Sequence, residues 1–191
     1  MKAKTLSIGG DRYDQFISKK RIKAKIKKIA REIYQRYHKQ QDEKNLPILL
    51  FVLTGGIYFG VDLSRQLEKL GLRHAIDTIG ATRYGDSEEG GEVKLVSEPH
   101  ADLTKRNVII VEDVIDQGLT MNFVYHYVRE KTKRVRVCAL CLKKKHEPLI
   151  FEPSYIGFII GRRWIVGPGL DFKQKFRGLT AIFRQRKKKK E

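Results

Sequence analysis

Three acidic residues follow an aliphatic stretch in the middle of the chain, and they are the side chains best suited to chemistry. The stretch is Val108–Val111, and Glu112, Asp113 and Asp116 come after it. Four consecutive β-branched residues are typical of a strand buried on both faces of a parallel sheet. Ligands of α/β folds bind beyond the carboxyl ends of such strands. Carboxylates there suit ribose hydroxyls, a magnesium ion or a group that develops positive charge, whereas they would repel a phosphate.

A turn that could bind phosphate comes directly after the acids. Gln117 and Gly118 are typical of a tight turn, and Leu119 and Thr120 begin a helical pattern. The free N–H groups in the first turn of a helix bind phosphate. The sequence therefore predicts a sugar-phosphate site, with acids at the sugar and amides at the phosphate. Capping of this helix is the structural alternative for Asp116, worth about 1 kcal/mol.

Two more predicted strands end in residues that could bind the same ligand. Ile48–Leu53 leads into Thr54 and Gly55, where a glycine pair lets backbone amides approach an anion. Val135–Leu142 leads into Lys143. Because the carboxyl ends of parallel strands meet at one edge of a sheet, these residues are expected beside the acids.

The string V-E-D-V-I-D-Q-G-L-T-M resembles the phosphoribosyl-pyrophosphate motif of type I phosphoribosyltransferases, in the form found in 6-oxopurine (hypoxanthine-guanine) phosphoribosyltransferases. T-G-G at 54–56, Lys143 and W-I-V-G-P-G-L-D at 164–171 extend the resemblance to roughly Phe16–Phe183. It implies one domain over 1–191 of the α/β class, with a mostly parallel twisted sheet flanked by helices. A small hood is expected from the N-terminal segment and the residues after about Leu149.

The resemblance implies an enzyme of purine salvage. It would transfer the 5-phosphoribosyl group from phosphoribosyl pyrophosphate to hypoxanthine, guanine or both, giving IMP or GMP and pyrophosphate, with Mg²⁺ as cofactor. Asp116 would be the general base, and Glu112, Asp113 and Asp171 would contact the metal or the waters around it. The implied substrate contacts are Glu112 and Asp113 at the ribose, Gln117, Gly118, Leu119 and Thr120 at the 5′-phosphate, Thr54, Gly55 and Arg177 at the pyrophosphate, and Lys143, Trp164, Ile165 and Asp171 at the purine.

Two positions depart from the family pattern, and one loop is expected to move. Thr54 stands where a Lys is common, and the bond that precedes it is expected to be cis. Residues 82–96 are expected to form a mobile lid that excludes water during the reaction. The lid carries Arg83 and Tyr84 where the family has a Ser-Tyr pair. Both are candidate substrate contacts, and Arg83 could instead be solvated.

Charge is concentrated at the two ends of the chain. The net charge is +18; residues 1–46 hold 14 Lys/Arg and 5 Asp/Glu, and residues 173–191 hold 9 and 1. Residues 11–45 are expected to form a basic, amphipathic helical segment, with Ser18 as a candidate N-cap. Its apolar stripe is Ile22, Ile26, Ile29, Ile33 and Tyr37. The tail at 184–191, R-Q-R-K-K-K-K-E, is expected to be disordered because it contains no apolar residue.

Two other functions remain open at this point. The basic ends could bind nucleic acid, and some proteins of this fold are regulators of nucleotide synthesis; against this, Lys143, Trp164 and Asp171 have no purpose in a pure regulator. The other candidate is a phosphoribosyltransferase for a different base. A Lys donor disfavours adenine, which offers it no carbonyl, and leaves a xanthine-preferring enzyme as the alternative.

The remaining features indicate the class of protein. Cys138 and Cys141 are expected on opposite faces of a strand, which argues against a redox pair and favours a reducing cytoplasm. No apolar run approaches the roughly 18 residues that a membrane span needs. The expected partners are phosphoribosyl pyrophosphate, 6-oxopurine bases and further copies of the chain in a dimer or tetramer.

Overall fold

The computed structural model describes residues 4–39, 46–84, 92–144 and 148–187. Three helices and ten strands are found in these ranges. In chain order they are β1 (Thr5–Ile8), β2 (Asp11–Ile17), α1 (Lys19–Tyr37), β3 (Ile48–Leu53), α2 (Gly56–Lys69), β4 (Ala75–Tyr84), β5 (Glu92–Ser97), β6 (Val108–Ile115), α3 (Leu119–Lys131), β7 (Val135–Lys143), β8 (Tyr155–Ile160), β9 (Ile165–Val166) and β10 (Ile182–Gln185).

A six-stranded sheet lies at the centre, in the order β5-β4-β3-β6-β7-β8. Every neighbouring pair is parallel except β4 and β5, which are antiparallel. The continuous apolar runs of β3 and β6 occupy the middle, because a strand covered by helices on both faces needs apolar residues at every position. The predicted mostly parallel sheet is confirmed.

Helices cover the sheet from both sides. The buried residues of α1 and α2 belong to one apolar cluster with β3, β6 and β7, and those of α3 belong to a second cluster on the other face. All five residues of the predicted apolar stripe of α1, the first of which is Ile22 and the last Tyr37, are buried. Ser18 is confirmed as the N-cap of α1, since its hydroxyl oxygen accepts a hydrogen bond from the Arg21 amide at 3.4 Å.

A second, antiparallel sheet forms the hood, in the order β1-β2-β10-β9. It joins the N-terminal segment to the C-terminal segment, as predicted. Two boundaries differ from the prediction. Residues 11–17 of the expected helical segment form β2, and its residues 40–45 lie outside the described ranges. β8, which follows Leu149, belongs to the central sheet, so the C-terminal part of the hood begins at β9.

The prediction of a disordered tail is wrong for its first three residues, Arg184 to Arg186. Arg184 and Gln185 belong to β10, which is hydrogen-bonded to both β2 and β9. Arg186 forms two hydrogen bonds with the Asp14 carboxylate, at 2.6 and 2.7 Å. A backbone ladder and a bidentate ion pair hold this segment without any apolar residue. Residues 188–191 lie outside the described part.

The expected lid is partly regular structure. β4 extends to Tyr84, and β5 begins at Glu92 and pairs with it, so 82–84 and 92–96 are strand residues of a hairpin. The intervening residues 85–91 lie outside the described ranges, and the expectation of a moving loop there stays a prediction.

Both cysteines are free and buried, but they are not divided between the two faces of the sheet. Cys138 and Cys141 contact the same apolar cluster, on the side of α1 and α2. The prediction of opposite faces is wrong because strict alternation is interrupted here: Leu140 and Cys141, although adjacent, contribute to the same cluster. Burial raises the pKa of both thiols, which disfavours the reactive thiolate. None of the helices described here is both long and apolar enough to cross a lipid bilayer.

Candidate active site

Two adjacent carboxyl groups are buried where β6 approaches its carboxyl end. Glu112 and Asp113 are 8% and 6% exposed. The Asp113 amide donates a hydrogen bond to Glu112 Oε1 at 2.9 Å, and the Val114 amide donates to Asp113 Oδ1 at 2.8 Å. The strand therefore fixes both side chains through its own backbone.

Burial makes this pair electrostatically unusual. Burial, and next the neighbouring Asp113 carboxylate, raise the pKa of Glu112 well above its ordinary value. Burial also raises the pKa of Asp113, while the hydrogen bond from Glu112 and the positive charge of Arg177 act in the opposite direction. The pair thus tends to retain a proton on Glu112, which leaves the negative charge on Asp113.

The loop after β3 packs directly against Asp113. The Leu53–Thr54 peptide bond is cis, as predicted, and Thr54 is exposed. A Cβ atom added to Gly55 would lie 2.5 Å from both carboxylate oxygens of Asp113. A side chain at position 55 would therefore displace the carboxylate, so the close approach requires glycine.

Gly169 completes this contact from the hood side. It has a φ of +83°, and a Cβ atom there would collide with the Gly55 carbonyl oxygen and lie 2.9 Å from the Asp113 Cβ atom. Sequence reasoning did not single out Gly169, although G-P-G in its neighbourhood was a usable signal. Three segments that are distant in the sequence thus meet at Asp113.

Arg177 holds the hood segment in place. Its guanidinium donates hydrogen bonds to the Gly169 carbonyl and, at 3.1 Å, to the Gln174 side chain, and it forms an ion pair with Asp171 at 2.9 Å. The backbone amide of Gln174 donates a hydrogen bond to the other carboxylate oxygen of Asp171 at 2.8 Å. Gln174 was not among the predicted site residues, because its role depends on a positive φ of 64° that the sequence does not signal.

Trp164 and Lys143 face each other across the same edge. The indole is 49% exposed, and its Nε1–H donates to the Asp171 carbonyl at 3.2 Å. The Lys143 ammonium lies 5.8 Å from the centre of the indole ring. It also forms an ion pair with Asp116, with 2.5 Å between Nζ and Oδ2. Lys143 is buried while the Asp116 side chain is 48% exposed, so the carboxylate faces solvent at the mouth of the site.

The turn between Asp116 and α3 matches the predicted anion site in its backbone. Gly118 is the N-cap of α3, with a φ of 92°, and it has no side chain to bond the first amides of the helix. The backbone amides of Leu119 and Thr120 are therefore available to bind a ligand. Asp116 is not the N-cap, which removes the capping alternative for this residue.

Some predicted site residues are not joined to this network. Ile165 is buried in β9, opposite Arg184. Gln117 is exposed in the turn. The side chains of Arg83 and Tyr84 lie outside what the structure describes, so their expected contacts stay predictions.

The carboxyl groups of the site differ in how well they suit a metal ion. Among the described residues, no cluster of three or more His, Cys, Asp or Glu side chains could hold a metal ion by itself. Mg²⁺, however, usually binds through one or two carboxylates, substrate oxygens and water. The partly exposed Asp171 carboxylate fits that mode, whereas Glu112 is buried and favours its protonated form.

Replacing Glu112 by Gln is expected to stabilise the metal-free protein near neutral pH. Below the ordinary Glu pKa of about 4.3, Glu112 is protonated in both the folded and the unfolded state. As the pH rises, the unfolded state loses this proton first, and the wild type loses stability until the raised folded-state pKa is reached. Each pKa unit corresponds to about 1.4 kcal/mol.

Urea unfolding with EDTA between about pH 4 and pH 8 would measure this difference. The free energy of unfolding of Glu112→Gln should exceed that of the wild type by an amount that grows with pH. Glu32→Gln, at a partly exposed carboxylate, is the matched control and should change little. A difference that did not depend on pH would contradict the raised pKa.

Comparisons with known proteins agree with this arrangement. The family model described as the phosphoribosyl transferase domain matches residues 12–173. The hypoxanthine-guanine phosphoribosyltransferase of Mycobacterium avium is 31% identical over 176 residues, which cover 91% of this chain and 85% of the relative. The bifunctional protein TilS/HprT of Listeria innocua is 30% identical over 186 residues; these cover 93% of this chain but only 28% of that longer protein.

A solved structure has the same fold over nearly its whole length. It is the hypoxanthine phosphoribosyltransferase of Trypanosoma cruzi in complex with the product IMP. The TM-score is 0.84 at 25% sequence identity, and the match covers 95% of this chain and 97% of that one.

Proposed function

Because the chain belongs to the phosphoribosyl transferase family, we propose that it transfers the 5-phosphoribosyl group from phosphoribosyl pyrophosphate to a 6-oxopurine. The products would be a nucleoside 5′-monophosphate, IMP or GMP, and pyrophosphate, and the pathway would be purine salvage. The observation that carries the proposal is the grouping of Lys143, Trp164 and Asp116 at one sheet edge. It combines a donor for a carbonyl, an aromatic face and a base, which together suit a purine that accepts a new bond at a ring nitrogen.

Lys143 and Trp164 would bind the purine. The indole is exposed and is oriented through its hydrogen bond to Asp171, so its face is available for stacking on a base. Lys143 would donate a hydrogen bond to the exocyclic oxygen of hypoxanthine or guanine, for which it would give up its ion pair with Asp116. The names of the Mycobacterium and Trypanosoma relatives support this choice of bases.

Asp116 would accept the proton from the five-membered ring of the purine as the new bond forms. Its carboxylate is half exposed at the mouth of the site and lies within hydrogen-bond distance of Lys143. Once Lys143 turned toward the purine oxygen, Asp116 would be released to take the proton. General base assistance of this kind contributes about 10²- to 10⁴-fold to a rate.

The remaining residues would hold the phosphoribosyl donor. The amides of Leu119 and Thr120 would bind the 5′-phosphate, and Glu112 and Asp113 would accept hydrogen bonds from the ribose hydroxyls. The backbone at Thr54 and Gly55, with Arg177, would bind the pyrophosphate. Breaking the bond to pyrophosphate develops positive charge on the sugar, and the charge on Asp113 would stabilise it.

Asp171 would contact Mg²⁺ together with water and substrate oxygens, and Glu112 and Asp113 would hold waters around the ion. When bound, the ion would neutralise charge on the leaving pyrophosphate. We further propose a homo-oligomer, a dimer or tetramer, and the cytoplasm as compartment. The two free, buried thiols support a reducing compartment.

Replacing Trp164 by Ala is expected to raise the Michaelis constant for the purine about 5- to 160-fold, because stacking on an aromatic side chain is worth about 1–3 kcal/mol. The side chain is half exposed, so thermal unfolding should change little. Steady-state kinetics with hypoxanthine would measure the effect, with Trp164→Phe as a control that keeps an aromatic face. An unaltered Michaelis constant in Trp164→Ala would refute the stacking role.

The function is tested by a spectrophotometric assay with phosphoribosyl pyrophosphate and Mg²⁺. Hypoxanthine, guanine, xanthine and adenine are supplied in turn. We expect turnover with hypoxanthine, guanine or both, and none with adenine. Turnover with adenine alone would contradict the role of Lys143, and preference for xanthine would replace the proposed substrates with xanthine.

A further inference from the structure

A groove runs between α1 and α2, away from the acids of the sheet edge. One part has a volume of about 560 Å³, and a second part of about 340 Å³ extends to Pro168 and Leu179 in the hood segment. The two parts share Lys23, Asp62 and Arg65 in their walls, so they form one continuous depression.

Positive side chains line this groove at regular intervals. Lys19, Lys23 and Lys27 follow one another every four residues along α1 and line these two parts. Arg31, four residues further on, lines a third, smaller part of about 130 Å³, which shares Lys27 and Lys69 with the first part. Residues four apart lie on the same face of a helix, separated by about 6 Å along its axis. Arg65 and Lys69 face them from α2, which brings the number of lining cations to six.

This charge is not neutralised within the described part of the protein. Of the two acids in the groove, Asp62 lies 3.8 Å from Arg65, and Glu68 lies 3.7 Å from His74. The described residues place no carboxylate within 4.0 Å of the charged groups of the other five cations. A stable surface would normally intersperse charges of both signs.

Helix stability does not explain the row of cations either. Lysines four residues apart repel each other, and α1 has no acid in its first turn. Cations at that end oppose the helix dipole, which favours negative charge there. The row therefore weakens α1 when nothing is bound, and an anion with regularly spaced charges would relieve the repulsion.

The floor of the groove is apolar and carries an exposed aromatic ring. Ile22, Ile26, Ile57 and Val61 contribute to it, and Tyr58 is 42% exposed beside them. Proteins that bind single-stranded nucleic acid combine a cationic groove along the backbone with aromatic rings on which bases stack. A concave groove of this size suits one strand with its bases turned inward, whereas a duplex hides its base faces.

We propose that the groove between α1 and α2 binds single-stranded nucleic acid. The phosphates would contact the row from Lys19 to Arg31 and the opposing Arg65 and Lys69, and a base would stack on Tyr58. Binding would be separate from phosphoribosyl transfer, because none of these residues takes part in the proposed reaction.

Fluorescence anisotropy with a labelled oligouridylate of about 12 nucleotides would test this between about 50 and 200 mM salt. We expect the logarithm of the association constant to fall with the logarithm of salt concentration with a slope of about −4, since each single-strand phosphate contact contributes about 0.7. The double variant Lys23→Gln/Lys27→Gln should reduce the slope by about 1.4 and retain turnover of hypoxanthine. Tyr58→Ala should weaken binding at least about fivefold with an unchanged slope.

The matched control is Lys20→Gln/Lys28→Gln, which removes the same charge from α1 at positions that do not line the groove. It should leave the slope nearly unchanged. An equal loss in the control, tighter binding of the duplex form of the oligonucleotide, or no binding at the lowest salt concentration would overturn the proposal. Phosphatidylserine vesicles provide a further control. If the protein bound these vesicles but not the oligonucleotide, and if Lys23→Gln/Lys27→Gln did not reduce vesicle binding, the proposal would also be overturned. That result would indicate a general attraction to anionic surfaces.

Discussion

Replacing Asp116 by Asn is expected to lower kcat by about 10²- to 10⁴-fold while the Michaelis constants of both substrates change much less. Asn keeps the size of the side chain and one oxygen that can accept a hydrogen bond from Lys143, but it cannot accept the proton of the purine. The ion pair that joins these two side chains at 2.5 Å becomes a weaker bond to a neutral amide. The loss should therefore be in the chemical step.

Steady-state kinetics on both substrates would separate the two effects. Glu130→Gln is a suitable control, because Glu130 is an exposed acid on the same strand–helix unit and its carboxylate lies 3.7 Å from the His126 ring. It should retain the kcat of the wild type. A kcat in Asp116→Asn close to that of the wild type would remove Asp116 from the role of base.

Replacing Lys143 by Ala is expected to raise the Michaelis constant for hypoxanthine about 10- to 160-fold, because a hydrogen bond from a charged donor is worth about 1.5–3 kcal/mol. The ammonium is buried beside the indole and is the donor proposed for the exocyclic oxygen. Without it, the discrimination against adenine should also fall. In the wild type, Lys143 disfavours adenine because adenine carries an amino group at the position where the lysine requires an acceptor. Alanine at this position removes that requirement, so selectivity is lost.

The chain supplies its own control for this prediction. Lys144 is the next residue, it is exposed, and its backbone amide continues the pairing to the Ile160 carbonyl at 2.9 Å. Lys144→Ala removes the same charge one position away and should leave the Michaelis constant and the preference among bases unchanged. If both variants behaved alike, Lys143 would act through the local charge rather than through a contact with the purine.

The centre of the fold could be predicted because its signals are local. The aliphatic runs of β3 and β6 and the apolar stripe of α1 depend on patterns within a few residues, and the structure buries them as expected. The acids at the end of β6 and Lys143 at the end of β7 follow from those strands, because parallel strands present their carboxyl ends at one edge.

The errors occur where the structure depends on distant partners. The last two residues of β10, Arg184 and Gln185, belong to the segment predicted to be disordered, and they are ordered because the strand pairs with β2. Gln185 also donates to the Asp11 carboxylate at 2.7 Å across 174 positions. The close packing of Gly169 against Gly55 and Asp113 likewise joins three separate segments. A local pattern such as G-P-G can indicate a tight backbone turn, but it does not identify the distant segment that packs against it.

The central claim is tested most directly by measuring pyrophosphate release from phosphoribosyl pyrophosphate, with and without hypoxanthine, in the wild type and in Asp116→Asn. Release that requires the base, accompanied by an equal amount of IMP and reduced at least about 100-fold in the variant, is the result we predict. Release that is independent of the base, or no release from a folded protein that binds phosphoribosyl pyrophosphate, would contradict the assignment of this edge of the sheet as a 6-oxopurine phosphoribosyltransferase site.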